Sequence, residues 1–489
     1  MNLESFEQCL KRIISSHGIT NAEFSRLLNY KSKNTIQRII SGESGKASKA
    51  KVFRDIINNG NLFFNDDEIK ELELALDISS IGEEKHLAIN EMNELMFQEF
   101  KNYDSPQLTD IQSMNIISLK DLLSSIENNT NDIIIINCCW KAVILAFDDF
   151  LSKTQTTQIR QYILLNKSLA DTIRNIGNIL PIFHNTNYSA YSIESKDIHT
   201  TSVGELSHNV ILIRSKEESG KISTFLIVNH NEYNGFVIRE KYNLFDYWQN
   251  LANKYESYAN PIKTTYEQKN SANAYIKFTE LYYRLENNNT IFTFRPDFCM
   301  TYVNPTITKN AFIDGIKQLQ LKGFMSEKNI AKLEGIHTKR FNNVFSKNKV
   351  THHVCTEISL EKFAQTGLLS DHLFAMRPYT KAERIEIMKT LLKNIEHNPH
   401  FNFWLLKDNN SPMNIEVICY DKFGVEFTSM QTDYNFTENH SEAIIKQKDF
   451  VNLYKEYFVN EILRKRVQDQ TETVKVFRRI ITELESSTQ

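Results

Sequence analysis

Residues 19–42 read Ile-Thr-Asn-Ala-Glu-Phe-Ser-Arg-Leu-Leu-Asn-Tyr-Lys-Ser-Lys-Asn-Thr-Ile-Gln-Arg-Ile-Ile-Ser-Gly. Two short helical patterns are joined by a polar turn. In the first, Phe24, Leu27 and Leu28 recur at helical spacing. Thr20 stands three residues before Glu23, the spacing at which each side chain satisfies the other's backbone N–H and fixes a helix start. Asn29 is suited to the left-handed backbone that stops a helix. The second pattern carries Ile36, Ile39 and Ile40 and ends at Gly42. Ser32 is placed to cap it, and Lys33, Asn34, Gln37 and Arg38 then face away from the apolar stripe.

Outward from this stretch the helical grammar continues. Residues 3–16 predict a helix through Leu3, Phe6, Leu10, Ile13 and Ile14, stopped by His17-Gly18. Residues 47–58 (Val52, Phe53, Ile56, Ile57) and 66–78 (Ile69, Leu72, Leu76) predict two more, closing a five-helix, all-α domain over residues 1–80. A further amphipathic run at 82–102 (Leu87, Met92, Leu95, Met96, Phe100) predicts a helical linker, residues 81–104.

Two short helices with a tight turn, one lying across a groove and one inside it, make a helix-turn-helix DNA reader. Residues 6–78 resemble the phage-repressor (Cro-like, XRE) helix-turn-helix family. The likeness rests on Gly18, Thr20, Glu23-Phe24, Arg26-Leu27-Leu28, Thr35-Ile36, Arg38-Ile39 and Ser41-Gly42, and covers about a sixth of the chain. The resemblance implies that Asn21 bonds a phosphate and that Lys33, Asn34 and Gln37, with Arg38 beside them, form the recognition surface. Asn and Gln pair bidentately with adenine, Arg with guanine, and Lys with the backbone. The expected DNA-binding set is therefore Asn21, Ser32, Lys33, Asn34, Thr35, Gln37 and Arg38. The chain departs from the family in a turn about one residue longer and in Gly45-Lys46-Ala47 where a proline is common. Where the family often pairs an Arg with a Glu, this chain has Ile14 and Ile40, so no buried charge is left unpaired.

Charge is distributed to match. Residues 1–60 hold ten Lys/Arg against five Asp/Glu, whereas residues 66–104 hold three against twelve. A basic head on an acidic body favours a polyanion at the head alone. At 489 residues the chain suits two to four domains. No apolar run approaches the roughly 20 residues that span a bilayer, and the opening lacks the pattern of a signal peptide. Six scattered cysteines without metal spacing are expected as reduced thiols in a cytoplasm.

From about residue 106 strands alternate with helices. The apolar run 132–139 and residues 160–165, 188–193, 210–214, 225–228 and 235–239 predict strands. Residues 141–151, 168–177 and 245–255 predict helices. Residues 401–406, 415–420, 425–430 and 443–445 predict a second set of strands, with Asp421-Lys422-Phe423-Gly424 as a hairpin connection and helices at 450–463 and 472–485. The expected fold class is α+β multidomain, the all-α head being followed by one or two α/β effector domains, at 105–262 and 263–489. The second set repeats the order of the first without repeating its letters, a weak sign of duplication.

The body shows no specific catalytic pattern. Glycine numbers only 14, leaving little scope for a phosphate loop. His352-His353-x-Cys355 lacks companion metal spacing and reads as a surface or loop cluster. His337-x-Lys339 is similar to part of the motif of phospholipase-D-type enzymes, but the following Asp and a second copy are missing. Asp148-Asp149 and Asp297 read as solvated or capping carboxylates. Tyr242, Phe245, Tyr247, Trp248, Tyr255 and Tyr258 read as helix packing, with a ligand pocket as the rival reading.

These readings converge on a cytoplasmic transcriptional regulator, not an enzyme. It binds double-stranded DNA as a homodimer, and its body senses a small-molecule or peptide effector. No cofactor, metal or membrane contact is expected. The alternative is a DNA-associated enzyme or phage-defence effector carrying the same head. A peptide sensor built from helical repeats is disfavoured by the β-rich stretches.

Overall fold

The computed structural model describes residues 4–30, 32–59, 64–97, 119–165, 168–194, 209–229, 235–240, 250, 253, 260–266, 272–295, 298–320, 325–369, 376–407, 415–429 and 440–486. The fold is α+β: a helical N-terminal region is followed by an α/β body with two mixed sheets. The chain divides into two compact units, residues 1–93 with 168–173, and residues 94–167 with 174–489. Among the described residues no helix is long and apolar enough to cross a membrane.

The first unit is built from α1 (Phe6–Ser16), α2 (Asn21–Leu27), α3 (Asn34–Ile40), α4 (Lys46–Asn59), α5 (Asp66–Ile81) and the start of α6 (Glu83–Phe97). Three helix starts carry reciprocal caps: Ser5 with Gln8, Thr20 with Glu23, and Asn65 with Glu68. Each satisfies N–H groups that have no partner within the helix. Asn29 takes the left-handed φ of +59° that ends α2, and Gly42 takes +79° after α3. The apolar stripes meet in one core, in which Phe6, Leu10, Ile36, Ile39, Ile56 and Leu72 are fully buried. Ile14 lies inside this core and Ile40 packs against it, both apolar as the sequence requires.

Ser32 departs from expectation. The residue at the cap position of α3 is Lys33, in helical conformation and without a side-chain cap. Ser32 Oγ instead accepts the Asn34 N–H at 3.2 Å, because Lys33 already continues the turn and the hydroxyl reaches only two residues ahead.

The body opens with α7 (Leu119–Ser125). Its first sheet contains β1 (Thr130–Ile136), β2 (Thr157–Leu165), β3 (Tyr188–Glu194), β4 (Asn209–Lys216), β5 (Ile222–Asn229), β6 (Gly235–Glu240) and β7 (Asn260–Pro261). The helices α8 (Lys141–Lys153) and α9 (Leu169–Ile179) connect β1 to β2 and β2 to β3. The order is β6-β5-β4-β1-β2-β3-β7, with β1, β2 and β3 parallel and β4, β5 and β6 an antiparallel meander on the other side of β1. Ile133–Ile136 are at most 1% exposed, as a strand covered on both faces demands. The predicted strand at 132–139 ends early, because Asn137 turns to a φ of +52° and redirects the chain towards α8.

The second sheet contains β8 (Lys263–Tyr266), β9 (Ile291–Phe294), β10 (Thr351–Cys355), β11 (Phe401–Leu405), β12 (Ile415–Tyr420), β13 (Gly424–Ser429) and β14 (His440–Ile445). Around it lie α10 (Ala272–Asn288), α11 (Pro305–Gln318), α12 (Glu327–Val344), α13 (Glu357–Thr366), α14 (Lys381–His397), α15 (Lys448–Tyr457) and α16 (Gln470–Ser486). Its order is β11-β10-β9-β12-β13-β14-β8. Three parallel strands joined through helices again precede an antiparallel meander that starts beside the first of them. The two sheets share this six-strand topology. Ile262 links them: it donates its N–H to Ala190 of β3 and accepts from Ile444 of β14, each at 2.9 Å.

The predicted helix at 450–463 is α-helical only to Tyr457. It continues as a π-helix, Phe458–Arg466. Of the predicted helix at 245–255 only residues 250 and 253 are described, and the aromatic cluster around Tyr242, like Asp297, lies outside the described residues.

Candidate nucleic-acid interface

The outer surface of α3 follows from its inner one. Ile36 and Ile39 point into the core at 0% exposure, so the positions between them must face water. Ser32, Lys33, Asn34, Thr35, Gln37 and Arg38 are all exposed. Asn34, Gln37 and Arg38 are spaced three and four residues apart and share one helix face. Asn21 opens α2, where it is half-buried and its carbonyl accepts the Ser25 hydroxyl at 2.7 Å. Arg38 lies 4.0 Å from Glu43, with both side chains about two-thirds exposed, a contact weak enough to yield to a stronger anion.

Other basic residues of the head are held by their own fold. Lys49 pairs with Glu7, and both side chains are largely covered. Burial alone would raise the Glu7 carboxyl, but the Lys49 hydrogen bond brings it below its ordinary value. Arg12 bridges Glu4 at 2.9 Å and Glu71 at 2.7 Å, tying α1 to α5. Lys46 reaches the Ser80 carbonyl. Lys51 lies over the Tyr30 ring, whose hydroxyl bonds Asp55. Burial, then Asp55, pushes the Tyr30 hydroxyl well above its usual range, so it stays a donor. Along the sequence the basic excess is one pool. The structure separates cations used in packing from those presented on α3, and only partners distant in sequence, such as Glu71, reveal the difference.

The histidine motifs of the body are taken apart by their elements. His337 and Lys339 lie on α12. The first is buried and the second is exposed, its ammonium 5.6 Å from the Tyr283 ring centroid. The second motif is no surface loop: His352 and His353 are in β10, on opposite faces of the second sheet. His352 stacks between Phe292, at 4.9 Å, and Trp404, at 5.7 Å. Nδ1 of His353 is 2.9 Å from the Tyr302 hydroxyl, while Cys355 Sγ is 2.8 Å from Ser359 Oγ. Burial holds His352 near a pKa of about 4, and burial with Arg295 nearby holds His353 well below its ordinary value. Alternation along the strand thus separates the two rings. Among the described residues no group of His, Cys, Asp and Glu is assembled to hold a metal. Asp149 is exposed and accepts from Lys153 at 2.7 Å.

On the His353 side of the sheet lies a buried polar chain. Arg340 donates to both oxygens of Glu286, at 2.8 and 2.5 Å, and to Thr301 at 3.2 Å. Its guanidinium stands 5.3 Å from the Tyr282 ring centroid, and the Tyr282 hydroxyl donates to Glu426 at 2.6 Å. Glu286, Arg340 and Glu426 are each under 10% exposed. No protein-family model matches the chain, and no curated protein matches it.

Proposed function

We propose that the chain is a sequence-specific DNA-binding transcriptional regulator of the helix-turn-helix type, with α3 as its recognition helix. The observation that carries this reading is the division of α3: two isoleucines fully buried, and every polar residue of the predicted reading surface exposed. Asn34, Gln37 and Arg38 on one face are side chains that read base edges, and Lys33 and Asn21 suit phosphate contacts. One such unit reads a half-site. The proposed regulator is therefore a homodimer with its two α3 segments about one DNA turn, roughly 34 Å, apart. The body senses an effector whose binding shifts the dimer between states of different spacing.

Selection from a random duplex pool followed by gel shift at moderate salt tests this. A preferred sequence is expected, and recovery of none sinks the regulator reading. The double variant Gln37→Ala with Arg38→Ala should lose roughly 10²-fold or more in specific affinity, since each base contact is worth about 1–3 kcal/mol. Its melting should be unchanged, because neither side chain enters the core. Retained affinity would reject α3 as the reading helix. Lys33→Ala should weaken all sequences alike and flatten the salt dependence by about one ion.

A further inference from the structure

The turn between α2 and α3 is anchored at Tyr30. Its N–H donates to the Ser25 carbonyl at 2.8 Å, directly after Asn29 takes the left-handed conformation that ends α2. Its side chain reaches α4. The half-buried ring packs against the core of the head, and the hydroxyl donates to the Asp55 carboxylate. The Lys51 ammonium stands 5.9 Å from the ring centroid. Lys51 and Asp55 are four residues apart and share one face of α4. A single residue thus ties the end of α2 to two positions on α4, and a hydrogen bond to a carboxylate is stronger than a neutral one.

The start of α3, by contrast, has little to hold it. The helix has seven residues, too few to be stable alone. Lys33 at its cap position makes no side-chain cap, and Ser32 reaches only the Asn34 N–H. Ile36 and Ile39 fix the inner face, but Lys33 and Asn34 are exposed. The turn leading from Tyr30 therefore decides where these two residues stand. A reading side chain must be placed within about 0.5 Å to bond a base edge. Attraction to phosphates depends on charge and tolerates looser placement.

We infer that Tyr30, held by Asp55 and Lys51, is a positioning residue for DNA recognition: it fixes the start of α3, so that its loss relaxes sequence preference and spares attraction to the phosphate backbone. The inference rests on the regulator reading.

The test uses the full chain, the selected duplex and a scrambled duplex of the same composition. The readout is the ratio of the two affinities, in which a change of net charge cancels. Tyr30→Phe removes only the hydroxyl, and the ratio should fall about tenfold, the weight of one hydrogen bond to a charged group. Asp55→Leu should match it, and Asp55→Asn, which keeps an acceptor, should retain most of the ratio. The double variant Tyr30→Phe with Asp55→Leu should fall no further than either single change. A ratio that Tyr30→Phe leaves intact, even with lowered melting, would make the residue structural only. Losses that add in the double variant would overturn the clamp. Should Tyr30→Phe not fold, Asp55→Leu breaks the same bond. Amide exchange in the free chain gives a readout without DNA. Peptides covering 28–36 should exchange faster in Tyr30→Phe, and unaltered exchange overturns the clamp. A parent chain with no preferred sequence rejects the regulator reading and the positioning role together, whereas a preference that Tyr30→Phe retains rejects the positioning role alone.

Discussion

The head and the second sheet place their polar residues in opposite ways. On α3 the polar side chains stand in water around a wholly apolar inner stripe. Around the second sheet Glu286, Arg340, Glu426, His337 and His353 are inside. An exposed polar side chain adds little to folding and is available to a partner. A buried one must be matched by its own fold, and its loss is felt as stability. Substitutions on α3 should therefore change binding and spare melting, and substitutions in the body interior should do the reverse.

The largest expected separation comes from acid. His337 and His352 are neutral, with pKa values of about 3 and about 4, and His353 is depressed well below its ordinary value. In the unfolded chain all three titrate near 6.5. Below that pH the unfolded state binds more protons than the folded one, so the body loses stability as pH falls. His337 and His352 alone set the size of the loss, and His353 adds to it in the same direction. The slope approaches about 2.7 kcal/mol per pH unit, amounting to about 4–5 kcal/mol between pH 6.5 and 4.5. In the head, Glu7 and Glu23 have depressed carboxyl values. Their contribution is fully present above the ordinary 4.5 and is lost only as pH falls below it. All three tryptophans, Trp140, Trp248 and Trp404, lie in the body unit. Urea unfolding followed by indole fluorescence at pH 7 and pH 5 should show the drop. A midpoint unchanged at pH 5 would mean that these histidines are not neutral and enclosed.

Next in size is the buried ion pair. Arg340→Met removes the charge that faces Glu286 and leaves the carboxylate enclosed, a loss of about 3–5 kcal/mol. Replacing both partners with apolar residues should restore much of that, because the desolvation cost disappears with the charges. Fluorescence-detected unfolding of the single and double variants checks this, with selected-DNA affinity of the native protein as the control expected to hold. A single variant as stable as the parent would show that the pair is not enclosed.

What could be read in advance divides along the same line. The caps at Thr20 and Asn29 were legible because each rule concerns residues within one turn. The exposed face of α3 was legible because Ile36 and Ile39 fix it by periodicity alone. The parallel strands β9 and β10 were not. Each is four or five residues long, and β10 carries two adjacent histidines that read as loop. Their burial depends on Tyr302, Phe292 and Trp404, which lie about fifty or more residues away in sequence. His337 was visible as a letter, but its unpartnered nitrogen depends on how α11 and α12 pack. The repeated sheet topology showed only as a similar order of elements, since strand pairing leaves no mark in spacing.

The smallest predicted effect tests the head by itself. Thr20 accepts the Glu23 N–H at 3.2 Å, and the Glu23 carboxylate returns to the Thr20 N–H at 2.8 Å. Thr20→Ala removes one half of this exchange and should cost about 1 kcal/mol. The backbone on either side keeps its other contacts, so the loss should be local. Amide exchange in peptides covering 20–28 should quicken about fivefold, with peptides from β9 to β14 unchanged. Unaltered exchange at 20–28 would show that the cap is not formed in solution. Faster exchange across both regions would show that head and body unfold together, and that the contrast between outward and inward polar groups does not divide the stability of the chain.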